Sequence, residues 1–453
     1  MHFATDQQTM DDLNILGKHG ADSIYTIFNR TFTRGGAAIL EEMFRYPLSD
    51  AAAINRRSGI IQYFAFAGTS FPFQSELFDL AEQYLGNTDE RTRLSSEERT
   101  LSGKLTNLIG ADTEYKTLYK GVTAVIEIIH DLRAFIDRAF IDSVGEAAKA
   151  PYQADREAIA RLLGEPALEA LLQEDAKRKL PYPKLAEYDV LLRFRHRDIV
   201  KRILHYIYYL DVYIAVARVA LERKFAFPLA LPKDRHTLDL VGVYHPQLKN
   251  PVPNTLCITP DSNVIFLTGA NMAGKSTFMK SLGIVMFLAH MGFPVPAAGM
   301  EFSVLDGIYT TINLPDNLGL GVSHFYAEVL RVKKVAKELS MSKSLFVIFD
   351  ELFRGTNVKD AFEATIDITS AFAGKRSSMF VISTHIIEAG EVLEERCDSI
   401  RFHHLPTRMN ENVPIYSYTL ETGISADRHG MIIIKNEGIL DILEQGKAKI
   451  ASS

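Results

Sequence analysis

The alternation of apolar and polar residues divides the chain into two regions of different texture. Before residue 235, apolar residues recur at the spacing of three and four that marks a buried helix face, as in Ile39, Leu40 and Met43. After it, helical patterns separate continuous apolar runs, of which the clearest cover residues 263–268, 344–349 and 378–383. Runs of this kind are typical of strands buried on both faces of a sheet. We therefore predict an α + α/β protein, with a helical domain over residues 1–234 and an α/β domain over residues 235–453.

Composition and charge narrow the class of protein. The net charge of −6 gives no overall attraction to nucleic acid, so a DNA-binding surface would have to be local. Cys257 and Cys397 lie far apart and outside any metal-ligand spacing, which indicates a reduced, cytoplasmic protein without a zinc site, free or associated with the nucleoid. The apolar stretch 203–221 contains Asp211 and Arg218, whose charges favour a buried helix over a membrane span.

A phosphate-binding pattern begins the α/β region. Residues 269–277 fit G-x-x-x-x-G-K-[ST], with an apolar strand pattern before them and a helical pattern after them. In that context, backbone N–H groups and the helix N-terminus surround the phosphates of ATP. Lys275 would reach the β- and γ-phosphates, and the Ser276 hydroxyl would bind Mg²⁺. The predicted ATP-binding residues are Gly269, Ala270, Asn271, Met272, Ala273, Gly274, Lys275, Ser276 and Thr277.

Polar groups follow the next two apolar runs. Asp350 and Glu351 come directly after the first, and His385 comes after the second. Taken alone, an Asp-Glu pair at a strand end is more often solvated, and a lone histidine is more often structural. The phosphate loop favours the functional interpretation, in which Asp350 holds Mg²⁺ and Glu351 orients or deprotonates the attacking water. His385 would then sense the γ-phosphate.

Several stretches together resemble the ATPase domain of the MutS mismatch-repair family, an ABC-type P-loop domain. They are Asn271-Met272 within the loop and the runs 316–325, 350–356 and 383–388. In the helical region, residues 27–33, 46–48 and 53–55 are similar to the MutS core, or lever, domain. The segment 251–254 lacks the aromatic residue that often stacks on adenine in this family.

The resemblance implies an ATPase that works as a homodimer with composite sites. Ser323 would contact the γ-phosphate bound by the partner subunit, and Gly355 and Thr356 would lie along the dimer interface. Without the resemblance, Ser323 fits equally well as the N-cap of the helix that follows it. The chain begins where the MutS core domain begins, so we expect the mismatch-recognition and connector domains to be absent. Equal affinity for homoduplex and mismatched DNA is then expected.

One basic segment is the candidate DNA contact. Residues 177–202 hold nine basic and three acidic side chains in an acidic protein. The basic ones are Lys177, Arg178, Lys179, Lys184, Arg193, Arg195, Arg197, Lys201 and Arg202. We predict that Lys177, Arg178 and Lys179 bind DNA and recognise its structure rather than its base sequence. A solvated helix face with paired charges is the alternative.

These observations predict an ATP-dependent DNA-binding protein of the MutS type. ATP and Mg²⁺ would drive closure of the dimer, coupled to DNA binding in mismatch repair or in the processing of branched recombination DNA. The alternative is an ABC-type regulatory ATPase that acts through protein partners without binding DNA. Duplex and four-way-junction DNA, offered with and without ATP, would distinguish the two.

Overall fold

In the computed structural model, the described residues before 224 are mainly helical, and strands alternate with helices in the described residues after it. The structure describes residues 3–17, 22–94, 108–138, 146–175, 178–270, 272–312, 324–410, 413–425 and 442. Its mixed helix and sheet content agrees with the predicted α + α/β class. The chain forms two compact units: an α/β unit of Met1–Thr26, Tyr46–Ser58 and Arg223–Ser453, and a helical unit of Ile27–Arg45 and Gly59–Glu222. The predicted boundary after residue 234 divides the sequence once, whereas each of these units is built from more than one segment of the chain. The assignment of the two predicted regions to a lever domain and an ATPase domain stays a prediction.

The helices before residue 224 follow the predicted spacing of apolar residues. They are α1 (Gln7–Asp12), α2 (Ile24–Phe28), α3 (Arg34–Arg45), α4 (Ala51–Ala67), α5 (Ser75–Gly86), α6 (Leu108–Arg138), α7 (Glu146–Leu163), α8 (Pro166–Leu172), α9 (Tyr182–Asp189) and α10 (Arg197–Arg223). Among the described residues, α10 is the one helix long and apolar enough to cross a membrane, and 72% of its apolar window is buried inside the protein. It therefore has the burial of a core helix.

A charged residue within α10 has a specific structural role. Asp211 is buried, and its carboxylate accepts hydrogen bonds from the backbone N–H of Phe32 at 3.0 Å and of Thr33 at 2.8 Å. The Thr33 hydroxyl donates to the same carboxylate at 2.7 Å and accepts from the N–H of Gly36 at 2.9 Å. These bonds satisfy N–H groups at the start of α3 that have no partner within that helix. The charge in this apolar stretch is thus compatible with burial in the helical unit, as predicted.

The basic segment contains a residue that is not on the surface. Arg193 lies in a π-helical turn, Val190–Arg195, and neither its side chain nor that of Asp189 is exposed. The two are joined by hydrogen bonds of 2.8 and 2.7 Å, and the Tyr84 hydroxyl donates to Asp189 at 2.9 Å. The Arg193 guanidinium also donates to Thr92 Oγ1 at 2.7 Å. Counting Arg193 toward a DNA-binding surface was therefore wrong, because its charge is paired inside the helical unit.

Two sheets build most of the α/β unit. Its strands are β1 (Leu229–Leu231), β2 (Leu238–Val243), β3 (Asn254–Ile258), β4 (Val264–Gly269), β5 (Gly299–Ser303), β6 (Gly307–Thr311), β7 (Leu345–Phe349), β8 (Met379–Ser383), β9 (Ile400–Leu405), β10 (Thr407–Asn410), β11 (Val413–Tyr416) and β12 (Glu421–Thr422). Its other helices are α11 (Lys275–His290), α12 (His324–Ser340), α13 (Val358–Ala373) and α14 (Ile387–Arg396). The six-stranded sheet has the order β12-β9-β4-β8-β7-β6, the four-stranded sheet has the order β1-β5-β2-β3, and β10 pairs with β11.

The central strands of the larger sheet are parallel and almost entirely buried. Strand β8 lies between β4 and β7 and runs parallel to both. Every residue of β7 and β8 is buried, as the continuous apolar runs predicted. Because the carboxyl ends of parallel strands meet at one edge of a sheet, the loops that follow β4, β7 and β8 come together there.

The N-terminal segment belongs to the α/β unit, although it was predicted within the helical domain. Ala4 pairs with Gly307 at the outer side of β6, and Asp12 accepts hydrogen bonds from the Thr310 hydroxyl at 2.8 Å and the Ile312 N–H at 2.9 Å. Asp6 forms an ion pair with Arg331 on α12. These contacts join residues about 300 positions apart in sequence, which is why the pattern of local apolar residues did not reveal them.

Candidate active site

The glycine-rich loop joins β4 to α11 in the predicted strand–loop–helix order. Gly269 and Gly274 have φ angles of 138° and 99°, a region that residues with a side chain rarely adopt. A Cβ atom on Gly269 would lie 2.9 Å from the Leu405 carbonyl oxygen, and one on Gly274 would lie 3.0 Å from the Tyr418 ring. Both positions therefore require glycine. Asn271, also predicted in this loop, lies outside the described residues.

Lys275 begins α11 and turns its side chain back over the loop. Only 6% of Lys275 is exposed, and its Nζ donates to the carbonyl oxygens of Gly269 at 2.8 Å and Ala270 at 3.2 Å. Burial lowers the pKa of Lys275, while the nearby charges of Asp350 and Glu351 raise it. The ammonium group is thus held within the loop, close to two carboxylates that follow β7.

Ser276 and Asp350 come from different elements and meet at the sheet edge. The Ser276 hydroxyl donates to Asp350 Oδ2 at 2.6 Å, and the Ser383 hydroxyl, at the end of β8, donates to Asp350 Oδ1. This contact brings together the two side chains predicted to bind Mg²⁺. Among the described residues, no group of three or more His, Cys, Asp or Glu side chains could hold a metal ion. A cation here would therefore need oxygens from other sources.

Glu351 and His385 are in direct contact, because they follow the neighbouring parallel strands β7 and β8. Glu351 Oε1 lies 2.6 Å from His385 Nε2, and Glu351 Oε2 lies 2.7 Å from Nη1 of Arg354. The hydrogen bond with His385 lowers the pKa of Glu351, and the charges of Arg354 and Lys275 lower it further against partial burial. Glu351 is consequently ionised near neutral pH. Arg354 was not among the predicted site residues, although it lies within a run that carried the family resemblance.

A cavity of about 610 Å³ adjoins the loop and Glu351. Part of its wall comes from segments outside the glycine-rich loop and α11. These wall residues are Val243, Tyr244, His245, Leu248, Lys249, Asn250, Pro251, Val252, Asn254, Leu405 and Tyr418. The Asn254 side chain joins two of these segments, because it donates to the Tyr418 carbonyl at 3.0 Å and accepts from the Leu420 N–H at 2.7 Å. Tyr418 thus provides an aromatic ring that the segment 251–254 lacks.

Of the remaining predicted site residues, the structure describes four and leaves two undescribed. Gly355 packs against the first turn of α12, since a Cβ atom on it would lie 2.6 Å from the Phe325 N atom. Thr356, with Glu351 and His385, lines a second cavity of about 230 Å³. Arg178 and Lys179 are exposed. Ser323 and Lys177 lie outside the described residues.

Comparison with known proteins supplies the context for this geometry. Residues 265–452 match the family model for MutS domain V. The chain is 30% identical over 254 residues to DNA mismatch repair protein MutS of Chlamydia muridarum, which is 54% of this chain and 30% of that protein. It is 28% identical over 265 residues to the MutS of Persephonella marina, 56% of this chain and 30% of that protein. The MutS of Aquifex pyrophilus matches at 28% identity over 244 residues, 53% of this chain and 28% of that protein.

The fold and site define an α/β protein with a glycine-rich loop, a lysine and paired carboxylates at one edge of a parallel sheet. The match to the family model covers this same region, and residues 265–452 belong to the MutS domain V family. The chain spans about 30% of the length of the curated relatives named above. The matches do not favour the alternative of a regulatory ATPase acting through protein partners.

Proposed function

We propose that the α/β unit is a P-loop ATPase domain that binds ATP with Mg²⁺ in the cavity beside the glycine-rich loop. The observation that carries this proposal is the meeting of Lys275 and Ser276, at the start of α11, with Asp350 and Glu351, after β7, at one sheet edge. A cluster of one ammonium group and two carboxylates suits a magnesium triphosphate, because the negative phosphates pair with the ammonium group and the positive Mg²⁺ pairs with the carboxylates.

Each side chain has a role consistent with its contacts. Lys275 binds the β- and γ-phosphate oxygens in place of the two loop carbonyls that it contacts in this structure. The Ser276 hydroxyl and the Asp350 carboxylate fit Mg²⁺, which binds through few protein oxygens and keeps several waters. The metal supplies charge neutralisation of the phosphates when bound. Glu351 accepts a proton from the attacking water, and His385 holds the Glu351 carboxylate at its other oxygen.

The part of the cavity wall outside the loop and α11 suits the adenine base. Tyr418 is exposed in the cavity beside Gly274, and His245 and Leu248 line the same wall. An aromatic ring that stacks on a base contributes about 0.5–1.5 kcal/mol beyond the area it buries.

Replacing Tyr418 tests the assignment of the base-binding wall. We expect Tyr418→Ala to weaken ATP binding about fivefold, because the stacked ring is lost. Tyr418→Phe keeps the ring and should bind ATP like the unmodified chain. Titration with a fluorescent ATP analogue, displaced by unlabelled ATP and by inorganic triphosphate, measures both affinities. A loss of triphosphate affinity as large as the loss of ATP affinity would contradict contact with the base.

We further propose that two α/β units close over two ATP molecules. Ser323 would contact the phosphate bound by the partner subunit, with Gly355 and Thr356 along the interface. A group that contacts ATP only in the closed dimer makes nucleotide binding favour that state. The helical unit would couple this closure to DNA, in mismatch repair or in the processing of branched DNA. Support for this part comes from the family resemblance and from the MutS matches.

The proposed DNA contact is the exposed basic pair Arg178 and Lys179. We expect their replacement by glutamate to lower affinity for duplex and four-way-junction DNA about tenfold and to make binding less dependent on salt. The matched control is the same replacement at Lys375 and Arg376, two exposed basic residues that are consecutive in the sequence of the α/β unit. Filter binding at several salt concentrations, with and without ATP, measures the effect. Equal losses from the two pairs, or none, would remove this segment as the contact.

A further inference from the structure

The aromatic ring in the wall of the nucleotide cavity belongs to a residue with an uncommon backbone conformation. Tyr418 has a φ angle of 55°, in the left-handed region that residues with a side chain seldom adopt. It lies in the irregular segment 417–420, which connects β11 to β12. Such a conformation persists only where the surrounding contacts hold it. The contacts of the Tyr418 backbone therefore decide where its ring lies.

The side chain of Asn254 makes these contacts from the four-stranded sheet. Its Nδ2 donates to the Tyr418 carbonyl at 3.0 Å, and its Oδ1 accepts from the Leu420 N–H at 2.7 Å. An amide side chain carries a donor and an acceptor side by side, so it can satisfy a carbonyl and an N–H of one backbone segment together. Asn254 is 8% exposed, and it pairs with Val243 of β2 at the start of β3. A residue fixed in a sheet thus holds a segment 164 positions further along the chain.

The place of the Tyr418 ring depends on this backbone restraint. Tyr418 is 46% exposed, so packing against neighbours restrains its ring only in part. The ring centre lies 6.1 Å from that of Tyr416, and a Cβ atom on Gly274 would lie 3.0 Å from the same ring. Asn254, Gly274 and Tyr418 all line the cavity of about 610 Å³. The two hydrogen bonds of Asn254 therefore act on the wall that we assign to the adenine base.

The phosphate end of the cavity is held by other contacts. Lys275 donates to two carbonyl oxygens of the glycine-rich loop, and the Ser276 hydroxyl donates to Asp350. These hydrogen bonds join the loop, α11 and the end of β7, and they do not involve Asn254 or Tyr418. A change at Asn254 should therefore alter contact with the base and leave contact with the phosphates in place.

We propose that Asn254 is a positioning residue that holds Tyr418 in place for the adenine base and so determines how much more tightly the chain binds ATP than inorganic triphosphate. This inference rests on the proposed function, in which Tyr418 stacks on the base. A ring already held in its binding conformation loses less entropy when the base binds. Without the Asn254 side chain, segment 417–420 leaves the left-handed conformation, and the ligand has to order the ring.

The test compares ATP with inorganic triphosphate as ligands of Asn254→Ala, Tyr418→Ala and the double variant. Displacement of a fluorescent ATP analogue from the full chain, with Mg²⁺, measures each affinity. We expect Asn254→Ala to weaken ATP binding about threefold to fivefold and triphosphate binding less than about twofold. The double variant should bind ATP no more weakly than Tyr418→Ala alone, because both changes remove the same contact with the base. Independent effects would instead multiply to about 15-fold or more.

Two further variants separate positioning from stability. Asn254→Leu keeps most of the side-chain volume without the hydrogen bonds, so it should weaken ATP binding as Asn254→Ala does. Asn263→Ala is the matched control, since Asn263 is also buried and its side chain donates to the Ser378 carbonyl at 3.2 Å, outside the cavity wall. This control should lower the temperature of thermal unfolding and leave the ratio of ATP affinity to triphosphate affinity unchanged.

Three results would overturn the proposal. Equal losses of ATP and triphosphate affinity in Asn254→Ala would make Asn254 a structural support of the whole site. Losses that multiply in the double variant would mean that Asn254 does not act through Tyr418. Undiminished ATP binding by Asn254→Ala, together with weakened binding by Tyr418→Ala, would mean that the ring keeps its place without Asn254.

Failure of the proposed function gives a different pattern. Undiminished ATP binding by Tyr418→Ala, or no ATP binding by the unmodified chain, would contradict the proposed base site itself. In that case, ¹³C NMR of the nucleotide-free chain with labelled tyrosine still tests whether Asn254 holds the segment. The Cα signal of Tyr418, identified by its loss in Tyr418→Phe, should shift in Asn254→Ala because it reports backbone conformation. An unchanged signal would overturn the proposal.

Discussion

ATP binding should be lost when Lys275 is replaced by alanine. We expect the Kd for ATP to rise about 100-fold, since charge-assisted hydrogen bonds to phosphate contribute about 1.5–3 kcal/mol, and 2.7 kcal/mol corresponds to a factor of about 100. The ammonium group lies within the loop and donates hydrogen bonds to the carbonyl oxygens of Gly269 and Ala270. Few other side chains could therefore take over its contact with phosphate. Equilibrium dialysis with labelled ATP and Mg²⁺ measures the change.

Lys275 is buried, so its replacement could also affect folding. Lys275→Met keeps most of the side-chain volume and should lose ATP binding to the same extent, while thermal unfolding reports whether either variant is folded. Lys280→Ala removes a lysine further along α11, outside the cavity wall, and serves as the matched control. ATP binding by a folded Lys275→Ala at the affinity of the unmodified chain would contradict the assigned phosphate site.

Glu351→Gln is expected to preserve ATP binding and abolish turnover. The amide keeps the size of the side chain but cannot accept the proton of the attacking water, and general-base contributions are about 10²–10⁴-fold in rate. We therefore expect kcat to fall at least about 100-fold with the Kd for ATP within about threefold. Glu391→Gln, on the exposed side of α14, controls for the loss of one carboxylate. Normal turnover by Glu351→Gln would contradict the assigned role.

The same variant tests dimer closure. If hydrolysis reopens the dimer, then Glu351→Gln with ATP should accumulate as a stable dimer, whereas the unmodified chain should exchange between states. Sedimentation velocity with ATP and with ADP distinguishes the two cases. A monomer under both conditions would contradict ATP-driven closure while leaving the hydrolytic role of Glu351 intact.

Much of the site was predictable from local sequence because its parts are short and contiguous. The loop needs glycine at 269 and 274, a lysine and a hydroxyl in fixed order, and those constraints act over nine neighbouring residues. Asp350 and His385 could be placed beside this loop because buried parallel strands end at a common edge. The contacts of Ser276 with Asp350 and of Glu351 with His385 agree with that reasoning.

Other features depended on partners distant in sequence. Arg193 was counted among the charges of the basic segment. Its guanidinium instead forms an ion pair with the buried carboxylate of Asp189 and donates a hydrogen bond to Thr92. Neither apolar spacing nor charge count distinguishes a buried arginine from an exposed one, since both lie in a helical pattern. Arg354 was likewise overlooked, because its contact with Glu351 depends on a left-handed turn that Phe325 supports from another element.

The sequence by itself determined the class of fold, the strand–loop–helix around the phosphate pattern and the chemical identity of the lysine, hydroxyl and carboxylates. These follow from local periodicity and from backbone conformations that only glycine adopts freely. The tertiary structure alone decided that the N-terminal segment joins the α/β unit, that Tyr418 faces the loop, and that Arg354 forms an ion pair with Glu351. Each of these features depends on packing or hydrogen bonds that a short window of sequence does not reveal.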